Sequence, residues 1–514
     1  MMNKFKTLVA ALCLASTALS SAAQDRVTGE TPADYAERMA WFGDAKLGIF
    51  IHWGIYAVKG VSESWSFYNG RISFDDYMAQ KKGFTAANYN AKEWVDLIEQ
   101  SGAKYTVLTT KHHDGFCLWD TKTTKSNAVK QSPAKRDLIA PFAEEVKKRK
   151  DLHLGLYFSL LDWSRDDYPN QTRTFSRYDI KKEPKRWQHF VNFNFAQLDE
   201  LNTKFHPDLF WFDGDWEQKA EDWNAEGIIR LLRGKNPTVI VNSRIQGYGD
   251  YATPELGVPV VQPKDRYWEL CYTMNDSWGY QTDDHNFKSP QILLRTFVDC
   301  ISKGGNLLLD FGPMADGTIP APEVAILKAF GRWTSKHKEA IYGTRAGIPA
   351  DHFCGGYTAL NKKGDILYLY LPYRPNGPLE LKGIVNDIKK VRVVGGNGQP
   401  LKTTIYNKLS WSEVPGIVYV DVPEQQLDQD ITVLAVELDG PLKLYRGSGQ
   451  VITMNELYVF LVSSTAVWGL TRNVLKSFRP YFSKDILRNH RRNILRSRVF
   501  KIQKNLCTNF SQIV

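Results

Sequence analysis

Residues 208–216 read DLFWFDGDW: an apolar run, then an acid, a glycine and further aromatic character. An apolar run without polar alternation suits a parallel strand covered on both faces. Asp213 closes that strand, and Gly214 allows a tight turn from which the carboxylate can project. Five more stretches share this character: 46–53 (KLGIFIHW), 105–112 (YTVLTTKH), 152–160 (LHLGLYFSL), 238–242 (TVIVN) and 306–311 (NLLLDF). Between them, 91–100, 138–149, 185–204, 222–233 and 291–303 carry helix-period apolar spacing. Six strands alternating with helices predict an α/β fold, a (β/α)8-like barrel of the TIM type with one or two strands poorly signalled. A doubly wound open sheet is the competitor, but no glycine-rich phosphate loop follows the first strand. From about Gly343 the pattern changes to period-two segments at 366–371, 390–394, 417–422 and 431–438, with PNG and GGNG between them. That reads as a C-terminal antiparallel β-sandwich, either a structural appendage or a sugar-binding module.

The chain is thus expected to divide into a leader at 1–23, a barrel at 24–342, a sandwich at 343–440 and an extension at 441–514. At 514 residues and 43% hydrophobic, the composition is that of globular domains with a large core. The net charge of +10 is misleading, because 13 Lys+Arg and only 2 Asp+Glu fall in 441–514. The remaining 440 residues hold 53 bases and 54 acids, so no nucleic-acid surface is expected on the folded body. Lys4 and Lys6, an apolar stretch from Leu8 to Leu19 and the small residues Ser21-Ala22-Ala23 make a secretory signal peptide, too short to span a bilayer. Secreted or periplasmic placement follows. Five cysteines remain after cleavage, Cys117, Cys271, Cys300, Cys354 and Cys507, with no CxxC pair, so neither a zinc site nor a disulfide framework is indicated. In the basic extension, the 14-residue apolar run 457–470 falls short of a membrane span of ~20 residues. An extension without a selected fold is favoured there over an interfacial helix or a nucleic-acid arm.

In a barrel, side chains at the C-terminal strand ends converge on one pocket. His52 and Trp53 close the first strand, with Glu63 and Trp65 in the loop beyond, and His112 and His113 close the second. Tyr157 lies in the third, Trp211 and Asp213 at the end of the fourth, Arg244 after the fifth, and Glu269 after Tyr267-Trp268. Eight of the 15 tryptophans (Trp53, Trp65, Trp119, Trp163, Trp211, Trp216, Trp268, Trp278) lie at or beyond strand ends. Singly each reads as loop packing; together they suit the C–H faces of sugar rings. Glu269 sits between Trp268 and Leu270, a setting that raises a carboxyl toward general-acid use. Asp213 and Glu269 therefore make the unequal pair that glycoside hydrolysis requires, although any barrel has several strand-end acids. The histidines raise a metal reading. Adjacent strand residues point to opposite faces, however, and Phe50 stands where a second histidine one residue away from His52 would be needed. Hydrogen bonds to substrate hydroxyls, or a satisfied core, are the better uses, and neither metal nor cofactor is expected.

The ordered motifs HWG (52–54), SESW (62–65), KHHDGFCLWD (111–120), WFDGDW (211–216), WELCYTMNDSWGY (268–280) and GGNLLLDFGP (304–313) resemble family 29 of the glycoside hydrolases, the α-L-fucosidases, over about residues 30–440. The resemblance implies a barrel followed by a β-sandwich and retaining, metal-free hydrolysis of terminal α-L-fucose on fucosylated glycans. It makes Asp213 the nucleophile and Glu269 the acid/base, with Glu63 matching another glutamate implicated in that role. It makes His52, Glu63, Trp65, His112, His113, Tyr157, Trp211 and Arg244 sugar contacts, with Trp278 as an aromatic wall. The family pattern has no counterpart for 441–514. A non-catalytic fucose-binding barrel and a retaining glycosidase for another sugar, such as α-galactose, are the alternatives.

Overall fold

The computed structural model describes Val27 and residues 29–447, so the leader and the run at 457–470 lie outside the described residues. Seven parallel strands form one curled sheet: β1 (Leu47–Ile51), β2 (Tyr105–Lys111), β3 (His153–Ser159), β4 (Leu209–Asp213), β5 (Ile240–Val241), β6 (Glu269–Thr273) and β7 (Asn306–Phe311). Their spatial order is β5-β4-β3-β2-β1-β7-β6. Residues 251–255 span the gap between β5 and β6 by isolated parallel bridges, Tyr251 to Asn242 on one side, Ala252 to Trp268 and Glu255 to Cys271 on the other. This irregular eighth strand closes the circle. Pro254 cannot donate to a ladder, which keeps the pairing discontinuous. Its start is pinned by buried Asp250, which accepts from Arg38 Nη2, Arg233 Nη2 and the Val241 amide, each at 2.8 Å.

The helices α1 (Ala91–Gln100), α2 (Ile139–Lys147), α3 (Pro184–Phe205), α4 (Ala225–Lys235), α5 (Pro290–Ser302) and α6 (Ala321–Lys336) surround the sheet, the first five close to their expected bounds. Each starts and packs for local reasons. In α1, the Asn90 side chain caps the Lys92 and Glu93 amides, and Ala91, Trp94, Val95 and Ile98 form the buried stripe.

Alternation along the strands separates two cores. Phe50, Val107, Tyr157, Leu209, Trp211, Ile240, Cys271 and Leu308 fill the barrel, with Met39, Phe42 and Ala45 packed against them. Ile49, Leu108, Leu156, Phe158, Phe210, Phe212, Leu270 and Leu309 join the core shared with the helices. Tyr105 lies across β1 inside the barrel, where a Cβ on Gly48 would come within 2.3 Å of its ring. Truncating a side chain such as Trp211 here would cost about 3–5 kcal/mol.

Beyond α6 come eight antiparallel strands: β8 (Arg345–Ala346), β9 (Tyr357–Leu360), β10 (Ile366–Leu371), β11 (Leu379–Lys382), β12 (Ile388–Val393), β13 (Thr403–Tyr406), β14 (Ile417–Val420) and β15 (Thr432–Leu438). They form a five-stranded sheet, β8-β9-β10-β15-β12, facing a three-stranded one, β11-β14-β13. Leu367, Leu369, Leu434 and Val436 pack between these sheets, whereas Tyr368, Tyr370, Val433 and Ala435 belong to the barrel-side core. With both faces covered, β10 and β15 are apolar at nearly every position. Trp333 of α6 donates to the Ile431 carbonyl at 2.9 Å across this junction. Among the described residues no helix is long and apolar enough to cross a membrane.

Candidate active site

The C-terminal strand ends surround a cavity of about 140 Å³ lined by Phe50, His52, Trp65, His112, Trp211, Asp213, Trp216, Arg244, Glu255 and Trp278. It falls below the ~300–1,000 Å³ typical of sites for drug-sized ligands, and suits one small ring. Asp213 ends β4, and Gly214 turns the chain with φ at +86°, where a Cβ would lie 2.4 Å from Leu161 Cγ. Tyr157 Oη donates to Asp213 Oδ2 at 2.9 Å, and Arg244 Nη1 donates to Oδ1 at 3.0 Å. Both oxygens are therefore held. Arg244 also donates from Nη2 to Glu255 Oε2 at 2.6 Å and lies 4.6 Å from the centre of the Trp211 ring. Burial works against the guanidinium charge, but Asp213 and Glu255 outweigh it and keep the group protonated. Bonds of 3.0 and 2.6 Å to one guanidinium keep the nearest oxygens of the two carboxylates no more than roughly 8 Å apart, an upper bound that admits the ~5–5.5 Å of a retaining pair.

Three histidines stand around Asp213 and the cavity, His52 and His112 in its lining and His113 against Asp213, each fixed at Nδ1. His52 pairs with Asp310 Oδ1, His112 with Ser64 Oγ and His113 with Ser159 Oγ, all at 2.6 Å. Ser159 Oγ also donates to the Leu161 carbonyl at 2.9 Å, so it accepts from His113 Nδ1. That assignment leaves His113 Nε2 as an acceptor; it has no protein hydrogen-bond partner and lies 3.6 Å from Asp213 Oδ2. Burial pushes all three imidazoles well below their usual range, which keeps them neutral. Burial likewise raises Asp310, reinforced by nearby Glu323 and Glu63. Trp278 packs 5.2 Å from His52, and Trp65 stacks near-parallel on Trp216 at 6.0 Å, making the aromatic walls. No group of three or more His, Cys, Asp or Glu among the described residues is arranged to hold a metal ion.

Two glutamates of the sequence reading are not in the cavity lining, and only Glu63 keeps its expected place in the loop after β1. Glu269 does not close a strand; it begins β6, at the barrel's opposite end, fully buried beneath the pocket floor. Tyr105 Oη donates to its Oε2 at 2.6 Å and Trp211 Nε1 to its Oε1 at 2.9 Å. Burial raises its carboxyl to about 7, as the flanking residues suggest, but the group does not line the cavity. Glu63 is buried beside the pocket, accepts from the Gly279 amide at 2.6 Å, and so braces the loop carrying Trp278. Burial raises it to about 7 as well. The other sequence-derived residues, His52, Trp65, His112, Trp211, Asp213, Arg244 and Trp278, converge on the cavity, and Tyr157 and His113 both contact Asp213 Oδ2. Sequence reasoning missed Glu255, whose strand carries no pattern, and the support residues Ser64, Ser159 and Asp310; Trp216 was signalled only within the tryptophan group.

An α-L-fucosidase family model matches residues 14–339. Plasma α-L-fucosidase of Rattus norvegicus is 31% identical over 427 residues, covering 76% of this chain and 88% of that protein. Tissue α-L-fucosidase of Homo sapiens is 30% identical over 433 residues, covering 78% and 88%. Among solved structures, α-L-fucosidase isoenzyme 1 from Paenibacillus thiaminolyticus superposes with a TM-score of 0.71 at 31% identity, covering 79% of this chain and 99% of that one. A family 29 α-L-fucosidase from Bacteroides thetaiotaomicron, trapped as a covalent intermediate with 2-fluoro-fucosyl fluoride, gives 0.69 at 27% identity, covering 79% and 96%.

Proposed function

The chain belongs to the α-L-fucosidase family, and on that footing we propose that it is a retaining exo-α-L-fucosidase releasing terminal α-L-fucose from fucosylated glycans. The observation that carries this reading is Asp213, anchored at both oxygens by Tyr157 and Arg244 on the wall of a cavity sized for one sugar. In the first displacement Asp213 attacks the anomeric carbon, while the departing glycosidic oxygen takes a proton from a carboxylic acid. In the second, that carboxylate takes a proton from water, whose oxygen attacks the same carbon and frees Asp213. The covalent intermediate of the Bacteroides relative supports two displacements.

For the acid/base we favour Glu255 over Glu269, because Glu255 lines the cavity and shares Arg244 with the nucleophile. Glu269, held at one oxygen by Tyr105 and at the other by Trp211, then holds the floor in place, and Glu63 holds the Trp278 loop. His52, His112, His113 and Arg244 supply hydrogen bonds to the sugar hydroxyls, with the His113 Nε2 lone pair as an acceptor. Phe50, Trp65, Trp211, Trp216 and Trp278 supply the apolar surface that the C5 methyl of fucose needs. Residues 24–342 are read as the catalytic unit and 343–440 as its sandwich, with the leader at 1–23 directing secretion or periplasmic placement. Hydrolysis of 4-nitrophenyl α-L-fucoside, followed by NMR from the first turnover, tests the reading. α-Fucose should appear before mutarotation. β-Fucose first, or a folded protein that binds fucose without turnover, would overturn it.

A further inference from the structure

The sandwich carries a larger concavity than the active site, about 610 Å³, bounded by the start of β9, the end of β10 and β11. We propose that this concavity is a second carbohydrate site, binding neutral oligosaccharides with Tyr373 as the stacking platform.

Tyr373 is 67% exposed, yet another group holds its ring in place. The Arg295 guanidinium of α5 lies 4.4 Å from its ring centre and also donates to the Pro372 carbonyl at 3.2 Å. The ring is therefore pre-positioned, and Pro372, Pro375 and Pro378 stiffen the wall around it, so little ordering cost is left for binding. The charges name the ligand class. The charged residues of the lining are Asp351, Glu380, Arg374 and Lys382, two acids and two bases. Lys382 pairs with Glu380 at 2.9 Å and Arg374 with Glu424 at 2.5 Å. With two acids and two bases in the lining and both bases held in ion pairs, the site has no formal excess with which to select an anion or a cation. An exposed ring combined with carboxylate and amide groups suits a ligand with both C–H faces and hydroxyls. The volume, set against about 140 Å³ for the fucose pocket, suits several sugar units rather than one. This inference is independent of the fucosidase reading, since none of these residues lines the catalytic cavity.

The test is calorimetric titration of the full-length enzyme with cellotetraose, N-acetyllactosamine and sialyllactose, alongside hydrolysis of 4-nitrophenyl α-L-fucoside. At least one neutral probe should bind with a dissociation constant of about 1 mM or tighter, weakened about tenfold in Tyr373→Ala and measurably in Glu380→Gln. That probe should not compete with the aryl fucoside, and Tyr373→Ala should hydrolyse the fucoside at the wild-type rate. The truncated ring is exposed and leaves no cavity, so the fold should persist. Absence of binding by both neutral probes, preference for sialyllactose, competition with the fucoside, or equal affinity in Tyr373→Ala would each overturn the proposal.

Discussion

Replacing Glu255 by Ala separates the candidate carboxylates by the products they leave. The substitution removes a proton donor from the cavity wall, yet Arg244 keeps its 3.0 Å bond to Asp213, so the nucleophile stays anchored. General acid catalysis contributes typically ~10²–10⁴-fold, or about 2.7–5.5 kcal/mol of barrier. A sugar leaving group needs that proton, so kcat/KM on fucosyl oligosaccharides should fall by about this factor. A 2,4-dinitrophenyl group departs without protonation, so kcat/KM on the dinitrophenyl fucoside should change by less than about tenfold. Its kcat should drop, because the fucosyl ester then waits for water without a base. Azide, which needs no base, should attack the ester in the space left by Glu255 and give α-fucosyl azide. Asp213→Gly opens the opposite face and should give β-fucosyl azide by one displacement. Both azides are identified by the anomeric coupling in proton NMR. Glu269→Gln and Glu63→Gln should give neither. If Glu255→Ala retains oligosaccharide hydrolysis while Glu269→Gln or Glu63→Gln yields the α-azide, the acid/base lies on that residue and the geometric argument fails.

His113→Ala removes the acceptor that the Ser159–Leu161 relay leaves at Nε2 beside Asp213. A fall in kcat/KM of at least ~10-fold, about 1.4 kcal/mol, is expected, and an unchanged value in folded protein would return His113 to a purely structural role. Glu269 carries a folded-state value near 7 against an ordinary 4.5, and Glu63 the same. Between those limits the folded state binds more protons than the unfolded one, so stability falls as pH rises from 4.5 to 7, by no more than roughly 3 kcal/mol per group. Glu269→Gln should remove the share of that decline that Glu269 carries, read as urea midpoints at the two ends of the range; identical slopes in both proteins would show that Glu269 does not titrate there.

The parts of this molecule that were readable in the sequence are those whose local pattern carries the tertiary constraint. A strand buried on both faces must be apolar throughout, so β1, β2, β3, β4 and β7 announce themselves, and the polar residue ending each run is aimed at the pocket by the fold. That is why His52, His112 and Asp213 were identifiable. The segment at 251–255 has no such pattern: Pro254 interrupts it, and its place is set by Asp250 meeting Arg38, 212 residues away in the chain. Unseen, it took Glu255 with it. The apolar Tyr267-Trp268 then stood in for a missing strand and put Glu269 at its end, whereas β6 begins at Glu269. A displacement of one strand length along the barrel axis takes Glu269 out of the cavity lining and sets it beneath Trp211. The flanking residues foresaw the raised pKa because burial alone produces it, and burial is shared by catalytic and structural carboxyls. What distinguishes them is the partner set. Glu269 meets two donors that belong to the core, while Glu255 meets the guanidinium that also holds Asp213, a relation no spacing in the sequence encodes.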